Sequence, residues 1–320
     1  MNDALGARIG EYLLESDVAA RSTEVAFRAS HRVLPRAARV AILKPAFVGV
    51  RLAEIQLMRE ACILEALHHS GVPRVFECGE VERRPWIAAE LVEGESIEHA
   101  TAEGPLAISE AIAILRDAAA VLAHAHARGV VHRNLTPRAI LRTPARSFPL
   151  CITDWGDASL HDQAIPHVVD HNFRFYRAPE LSVESSGDAP VDGRADVFAL
   201  GAVMYEAATL VLPDPVQKFP GMPVAFHRLL ASMLQRFADD RPTAAAVHAE
   251  AARLAETFSE GEGAIEEVEV ELVDISRASP PMMAGLGWIP PGAALTPPPP
   301  GLGAPGRRQA VGTARRRKVP

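Results

Sequence analysis

Residues 130–141, VVHRNLTPRAIL, place an imidazole, a guanidinium and a carboxamide side by side as His132, Arg133 and Asn134. Such a trio can orient a hydroxyl group and neutralise an anion. It cannot take up a proton through Asn134, because an amide has no basic lone pair near neutral pH. Further on, CITDWGDAS (151–159) offers Asp154, a carboxylate of the kind that ligates magnesium, which demands oxygen ligands. His167, Asp170 and His171 would face one metal if they lay on a helix; the other reading is a solvated loop. His124 and His126 read as residues flanking a helix end without ligating anything. Cys62, Cys78 and Cys151 are odd in number, far apart and form no C-x-x-C pair. That spacing argues against a zinc site or a disulfide framework and for small hydrophobes in a reducing cytosol.

These residues need elements to hold them. The chain has 320 residues, 48% hydrophobic and 23% charged, enough for one large domain or two moderate lobes. A formal net charge of −7 disfavours a specific nucleic-acid binder, which must neutralise phosphates with Lys and Arg. The opening MNDALGARIGEYLLESDVAARS lacks the apolar core of a signal peptide. The longest apolar run, from Val197 to Leu212, carries Glu206 and falls short of a transmembrane span, so a cytoplasmic protein is expected.

Residues 9–93 contain the strand-like RVAIL and PWIAAELV and one helical stretch, RLAEIQLMREACILEAL. In that stretch Leu52, Ile55, Leu57, Cys62, Ile63 and Leu67 recur at roughly helical spacing. Residues 94–257 read as mainly helical. SEAIAILRDAAAVLAHAHARG opens on Ser109 as an expected cap and stops at Gly129. ADVFALGAVMYEAATLV is apolar nearly all round, as for a helix at the centre of a lobe.

The order of motifs resembles the protein kinase family over residues 9–257. VVHRNLTPRAIL resembles the catalytic loop, and CITDWGDAS the Asp-Phe-Gly strand end with Trp155 in place of Phe. FYRAPEL matches the Ala-Pro-Glu close of the activation segment, and DGRADVFALGAVMYE the central helix with a buried Asp196. RFADDRPTAAAV resembles the late arginine motif. The resemblance implies an α+β, two-lobed kinase-like fold, with a small β-rich N-lobe (9–93) and a larger α-helical C-lobe (94–257). It implies structural roles for His132 and Arg133, a Glu180–Arg241 ion pair and an Asp196 that accepts backbone hydrogen bonds from the catalytic loop. It also gives Glu60 the helix position that pairs with a strand lysine.

The chemical positions depart from the family. Asn134 stands at the catalytic carboxylate, Thr136 at the loop lysine and Ala139 at the second magnesium ligand. Ala19, Arg21 and Glu24 fall on the three glycines of the phosphate cover, and residues 14–29 hold no glycine. If Glu24 lay within about 4 Å of a phosphate charge, repulsion would be about 1 kcal/mol in water and about 4 at an effective dielectric of 20. Ungapped alignment puts Ala41 at the strand lysine. Lys44 could serve only through a bulge, since a one-residue offset turns a strand side chain to the other face. Lys44, Glu60 and Glu90 are thus expected to line a vestigial nucleotide cleft, with Asp154 able to bind a single magnesium. No cofactor is required on this reading; weak binding of ATP with magnesium is left open. The activation segment, 154–180, offers Ser159 early and Tyr176 late, and Phe173 stands where a threonine is usual.

After residue 257 the composition changes. Residues 258–275 form an acidic linker or, through VEVELV (268–273), a short strand that could add to a sheet edge. Ten of the 26 prolines lie from Pro280 onward, so 276–320 reads as a disordered tail with a basic end. PMMAGLGWIPP within it reads as a docking motif or an inert linker, and TPPPP as a polyproline spacer or ligand. The resemblance implies a pseudokinase that binds a protein partner, a kinase or signalling protein engaged in part through the tail. Two other readings stay open. One is an active serine/threonine kinase using Lys44, Asp154 with one metal and another acid as base; the other is a nucleotide binder without transfer.

Overall fold

The computed structural model describes residues 5–18, 20–160, 175–181, 191–213 and 222–259. The acidic segment beyond 259, the tail, Ala19, Phe173 and the His167/Asp170/His171 group lie outside the described residues.

Alternation of apolar and polar side chains builds the first part of the chain into one antiparallel sheet. Its strands are β1 (Arg8–Ile9), β2 (Tyr12–Val18), β3 (Glu24–His31), β4 (Ala37–Leu43), β5 (Val75–Val81) and β6 (Arg84–Glu90), in the spatial order β1-β2-β3-β4-β6-β5. Parity divides β4 between two faces. Ala38, Val40 and Ile42 pack with Tyr12, Phe27, Trp86 and Ala88 on the outer face. Ala41 and Leu43 pack inward with Ala26 and Ile87 against Ala53, Leu57 and Ala61 of helix α1 (Arg51–Leu67). That helix spans the residues its periodicity indicates. It stops at His68, a non-glycine residue in the left-handed region (φ 41°).

The register of β4 decides one expectation. It pairs with β3 from Ala37–Ser30 to Leu43–Glu24, and with β6 from Ala38–Glu90 to Ile42–Trp86, without a shift on either side. The bulge that Lys44 would need is therefore absent from these described strands.

The rest is built on helices. A short strand β7 (Glu95–Ser96) and helix α2 (Ile97–Ala100) lead into α3 (Ile108–His126). The cap of α3 is Ala107, with no side-chain bond, so Ser109 is not the cap. The helix starts earlier because Leu106 is already tied to the core through its N–H, which donates to the Ala207 carbonyl at 2.8 Å. Gly129 takes φ 72° just past the helix end, a turn a β-carbon would strain. Strands β8 (Val130–Val131) and β11 (Ser159–Leu160) pair with each other, while β9 (Ile140–Arg142) pairs with both β7 and β10 (Leu150–Ile152).

Helices α4 (Arg194–Thr209), α5 (Val224–Met233) and α6 (Ala244–Ser259) complete the fold, so helix extends two residues past 257. Alanines along α3 (Ala111, Ala118, Ala125) let α6 approach closely through Val247, Ala251 and Leu254. Leu115, Leu122, Leu200 and Phe226 are fully buried, each contributing about 1.5–3 kcal/mol relative to exposure. No described helix is long and apolar enough to cross a membrane.

Candidate functional site

Three turns bring the polar residues together: the β2–β3 hairpin above, the loop between β8 and β9, and the turn after β10. Helix α1 passes beside them.

The lower scaffold is built around Asp196, in the first turn of α4 and 1% exposed. Its carboxylate accepts from the backbone N–H groups of His132 and Arg133, both at 2.7 Å, and from His126 Nε2 at 2.8 Å. Burial alone would raise its pKa. The His126 bond and charge, with His132 and its N–H, outweigh that and hold it below the ordinary carboxylate value. His132 is fully buried, bonds the Thr153 carbonyl through Nε2 at 2.8 Å and meets the Trp155 ring edge-on at 4.6 Å. Arg133 sits at φ 68°, and burial of its guanidinium, with smaller help from the charges of Arg177 and Arg59, pushes its pKa down. Arg241 grips Glu180 with two parallel bonds of 2.7 and 2.9 Å, and also donates to three backbone carbonyls. This fork-to-carboxylate geometry is specific to arginine. The Glu180–Arg241 pair and the bonds from the loop backbone to Asp196 lie where the resemblance puts them. His126, read from sequence as a bystander, proves to be a third support for Asp196.

The cleft itself departs from expectation. Lys44 lies beyond the end of β4, and its Nζ donates to the Ser22 carbonyl at 2.8 Å. The cation paired with Glu60 is Arg21, from the hairpin, bonded through Nη2. Arg21 also reaches Glu24 at 2.9 Å, and Arg39 of β4 reaches the other oxygen of Glu24 at 2.7 Å. Glu24 and Glu60 have only 1% and 7% of their side-chain surface exposed. Burial pushes the Glu24 carboxyl up, but Arg21 and Arg39 outweigh it and bring it below the usual range. Burial works against the Arg21 charge; Glu60 and Glu24 overcome it and raise the pKa. The anticipated repulsive Glu24 is thus a neutralised one, held on the inner face of the sheet by strand parity with Ala26. Glu90 is likewise not in the cleft. It lies opposite Ala38, on the outer parity of β6, and is held by Arg146 and Arg74.

Below the cluster, Gly156 faces the Arg21 guanidinium so closely that a β-carbon there would collide with it. Asp157 accepts the Asn134 side-chain amide at 2.9 Å and the Gln56 amide at 2.7 Å, linking the loop after β8 to α1. Asp154 is exposed at φ 63°. Ala139 is fully buried and Thr136 nearly so, so neither offers a metal ligand. Among the described residues no group of three or more His, Cys, Asp or Glu could hold a metal. The residues present fit a magnesium–triphosphate group poorly: Glu24 and Glu60 are already taken up by Arg21 and Arg39, Asp157 by two side-chain amides, and Arg21 fills the space under the hairpin. Elsewhere an open depression of about 490 Å³ is lined by Gly94, Glu95, Ser96, His99 and Leu141. Ser159 is buried, and the Tyr176 hydroxyl donates to Glu206.

Arg21 and Asp157, with Arg39 and Gln56 beside them, have roles here that sequence reading missed. Arg21 was placed only as a lost glycine, and Asp157 follows the Asp-Trp-Gly motif without belonging to it. A cation beside a glycine-free hairpin, with Glu60 retained and no strand lysine, was the available signal.

Comparison with known proteins bears on the family and the fold. Serine/threonine-protein kinase PknL of Mycobacterium tuberculosis is 28% identical over 232 residues, covering 69% of this chain and 54% of PknL. Serine/threonine-protein kinase PknH of Mycobacterium bovis is 29% identical over 267 residues, covering 75% of this chain and 44% of PknH. Pkn2 of Myxococcus xanthus is 32% identical over 157 residues, 48% of this chain and 19% of its own length. The chain thus matches about half the length of the first of these, or less of the others. The crystal structure of the PknI kinase domain of M. tuberculosis superposes with a TM-score of 0.59 at 24% identity, covering 81% of this chain and all of that one. That likeness supports the two-lobed fold alone. The sequence profile described as protein kinase domain matches residues 43–252, and the chain belongs to the protein kinase family.

Proposed function

We propose that the chain is a signalling protein built on the protein kinase fold, impaired in phosphoryl transfer, that works by binding protein partners. One observation carries this reading. The side chain at the proton-acceptor position, Asn134, is an amide, and its N–H is spent on Asp157. Loss of a general base costs about 10²- to 10⁴-fold in rate. Since phosphoryl transfer relies on a fixed set of positioned charges, the missing groups at Thr136 and Ala139 deepen the loss. The three cysteines are free thiols, which suits a cytoplasmic setting.

A second reading, an active serine/threonine kinase, has its own support. Arg21 puts a cation beside Glu60, and Asp157 puts a carboxylate within 2.9 Å of Asn134. The relatives above are named serine/threonine-protein kinases. On this reading Asp157 replaces the absent base and Asp154 holds one metal.

Incubating the purified full chain with radiolabelled ATP, magnesium and a generic protein acceptor separates the two. Impairment predicts no incorporated label, in the wild type and in Asn134→Asp alike. Label that appears with the wild type and vanishes in Asp154→Ala and Asp157→Asn establishes the second reading.

A further inference from the structure

The cleft contains four charges of its own: Arg21, Glu24, Arg39 and Glu60. Each carboxylate already has a guanidinium, and Arg21 is shared between two of them. The four sum to zero and come from three elements, the β2–β3 hairpin with β3, strand β4 and helix α1. Arg21 also lies against Gly156, at the turn that in this family supplies the metal-binding carboxylate. A triphosphate entering this space would have to displace Arg21 from both carboxylates, or sit beside two buried acids. Arg39 shares its strand face with Ala41 and Leu43, so the roof of the cleft carries an arginine reaching toward Glu24.

A second tie runs beneath. Gln56 on α1 and Asn134 on the loop after β8 donate to the two oxygens of the same carboxylate, Asp157. Helix α1 is therefore held from both sides by this chain's own side chains, through Glu60 to the hairpin and through Gln56 to the lower lobe.

We infer that Arg21, Glu24, Arg39 and Glu60 form an internal plug that stands where a nucleotide's phosphates would lie and keeps α1 docked without any ligand. This rests on the proposed function and goes further, because an impaired kinase could still bind nucleotide. The plugged cleft excludes ATP, so the conformation presented to a partner is set by the chain and not by nucleotide supply.

The test uses the full chain, with thermal melting and hydrogen exchange of residues 51–67 as readouts and millimolar ATP with magnesium as the probe. The wild type is expected to show no melting shift and no change in α1 exchange on adding ATP with magnesium. Arg21→Ala should speed α1 exchange at least tenfold. Arg21→Lys, which keeps the charge but loses the fork, should speed it several-fold and carries the test if the alanine variant does not fold. A melting rise or slower α1 exchange with ATP overturns the plug. So does unchanged α1 exchange in both variants. ATP binding without label transfer removes the plug and leaves the proposed function standing, whereas label transfer removes both.

Discussion

Two buried ion clusters in this molecule use the same chemistry for different ends. In the lower lobe, Arg241 grips Glu180 while Asp196 gathers the catalytic loop. Under the hairpin, Arg21 and Arg39 grip Glu24 and Glu60. The first cluster is made of residues whose motifs announce them, and it positions a loop. In the second, Arg21 and Glu24 come from positions that the resemblance gives to the glycines of the phosphate cover, and on our inference the cluster fills the space they would enclose. A fold can keep its internal supports while its working cleft is rebuilt, because the supports bond to backbone and the cleft bonds only to its ligand. Losing a support strands buried polar groups; losing a ligand group strands nothing that another side chain cannot satisfy.

Perturbing each cluster tests that contrast. Arg241→Met should be the most damaging, at about 3–5 kcal/mol of stability, since Glu180 and three carbonyls lose a fully buried partner. Urea unfolding followed by circular dichroism measures it; a loss below 1 kcal/mol would show that the lower cluster is no more structural than the upper.

Asp196→Asn should cost about 2–3 kcal/mol, the worth of hydrogen bonds to a charged group. It carries a pH signature as well. The folded carboxyl lies below its unfolded value, so its contribution is present above about pH 4 and is lost as pH falls through the lower folded value. The acid limb of a stability–pH curve should flatten in the variant.

Asn134→Asp should cost about 1–2 kcal/mol at neutral pH. It exchanges a 2.9 Å hydrogen bond for two facing carboxylates, partly screened by solvent. Melting at pH 7 and at about pH 4 should show that loss shrinking on acidification. Lys44→Ala should change stability by less than about 0.5 kcal/mol, as for a surface substitution, and should leave α1 exchange as in the wild type. A large effect there would return Lys44 to the cleft and weaken the assignment of Arg21.

Much of the fold was readable beforehand. Helix α1 covers the residues its periodicity marks, and the apolar α4 lies at the centre of the helical core. The supports at His132, Glu180, Asp196 and Arg241 stand in named motifs with fixed partners. Other features depended on neighbours distant in the chain. The start of α3 moved from Ser109 because Leu106 is tied to Ala207, a hundred residues further on. Lys44 looked usable because a strand bulge leaves no sure mark in sequence, and the regular register of β4 removed it. Asp157 gave no sign of its two amide donors, since Gln56 and Asn134 belong to other elements.

Residue types and their order were enough to indicate the family and the two-part architecture, because these depend on local pattern and on motif spacing. Which cation would meet Glu60 was beyond them. Arg21, Arg39 and Lys44 all carry the right charge, and only strand parity, register and the bend of the hairpin select among them. Reach in three dimensions made Arg21 the partner, so the charges beside Glu60 are the chain's own.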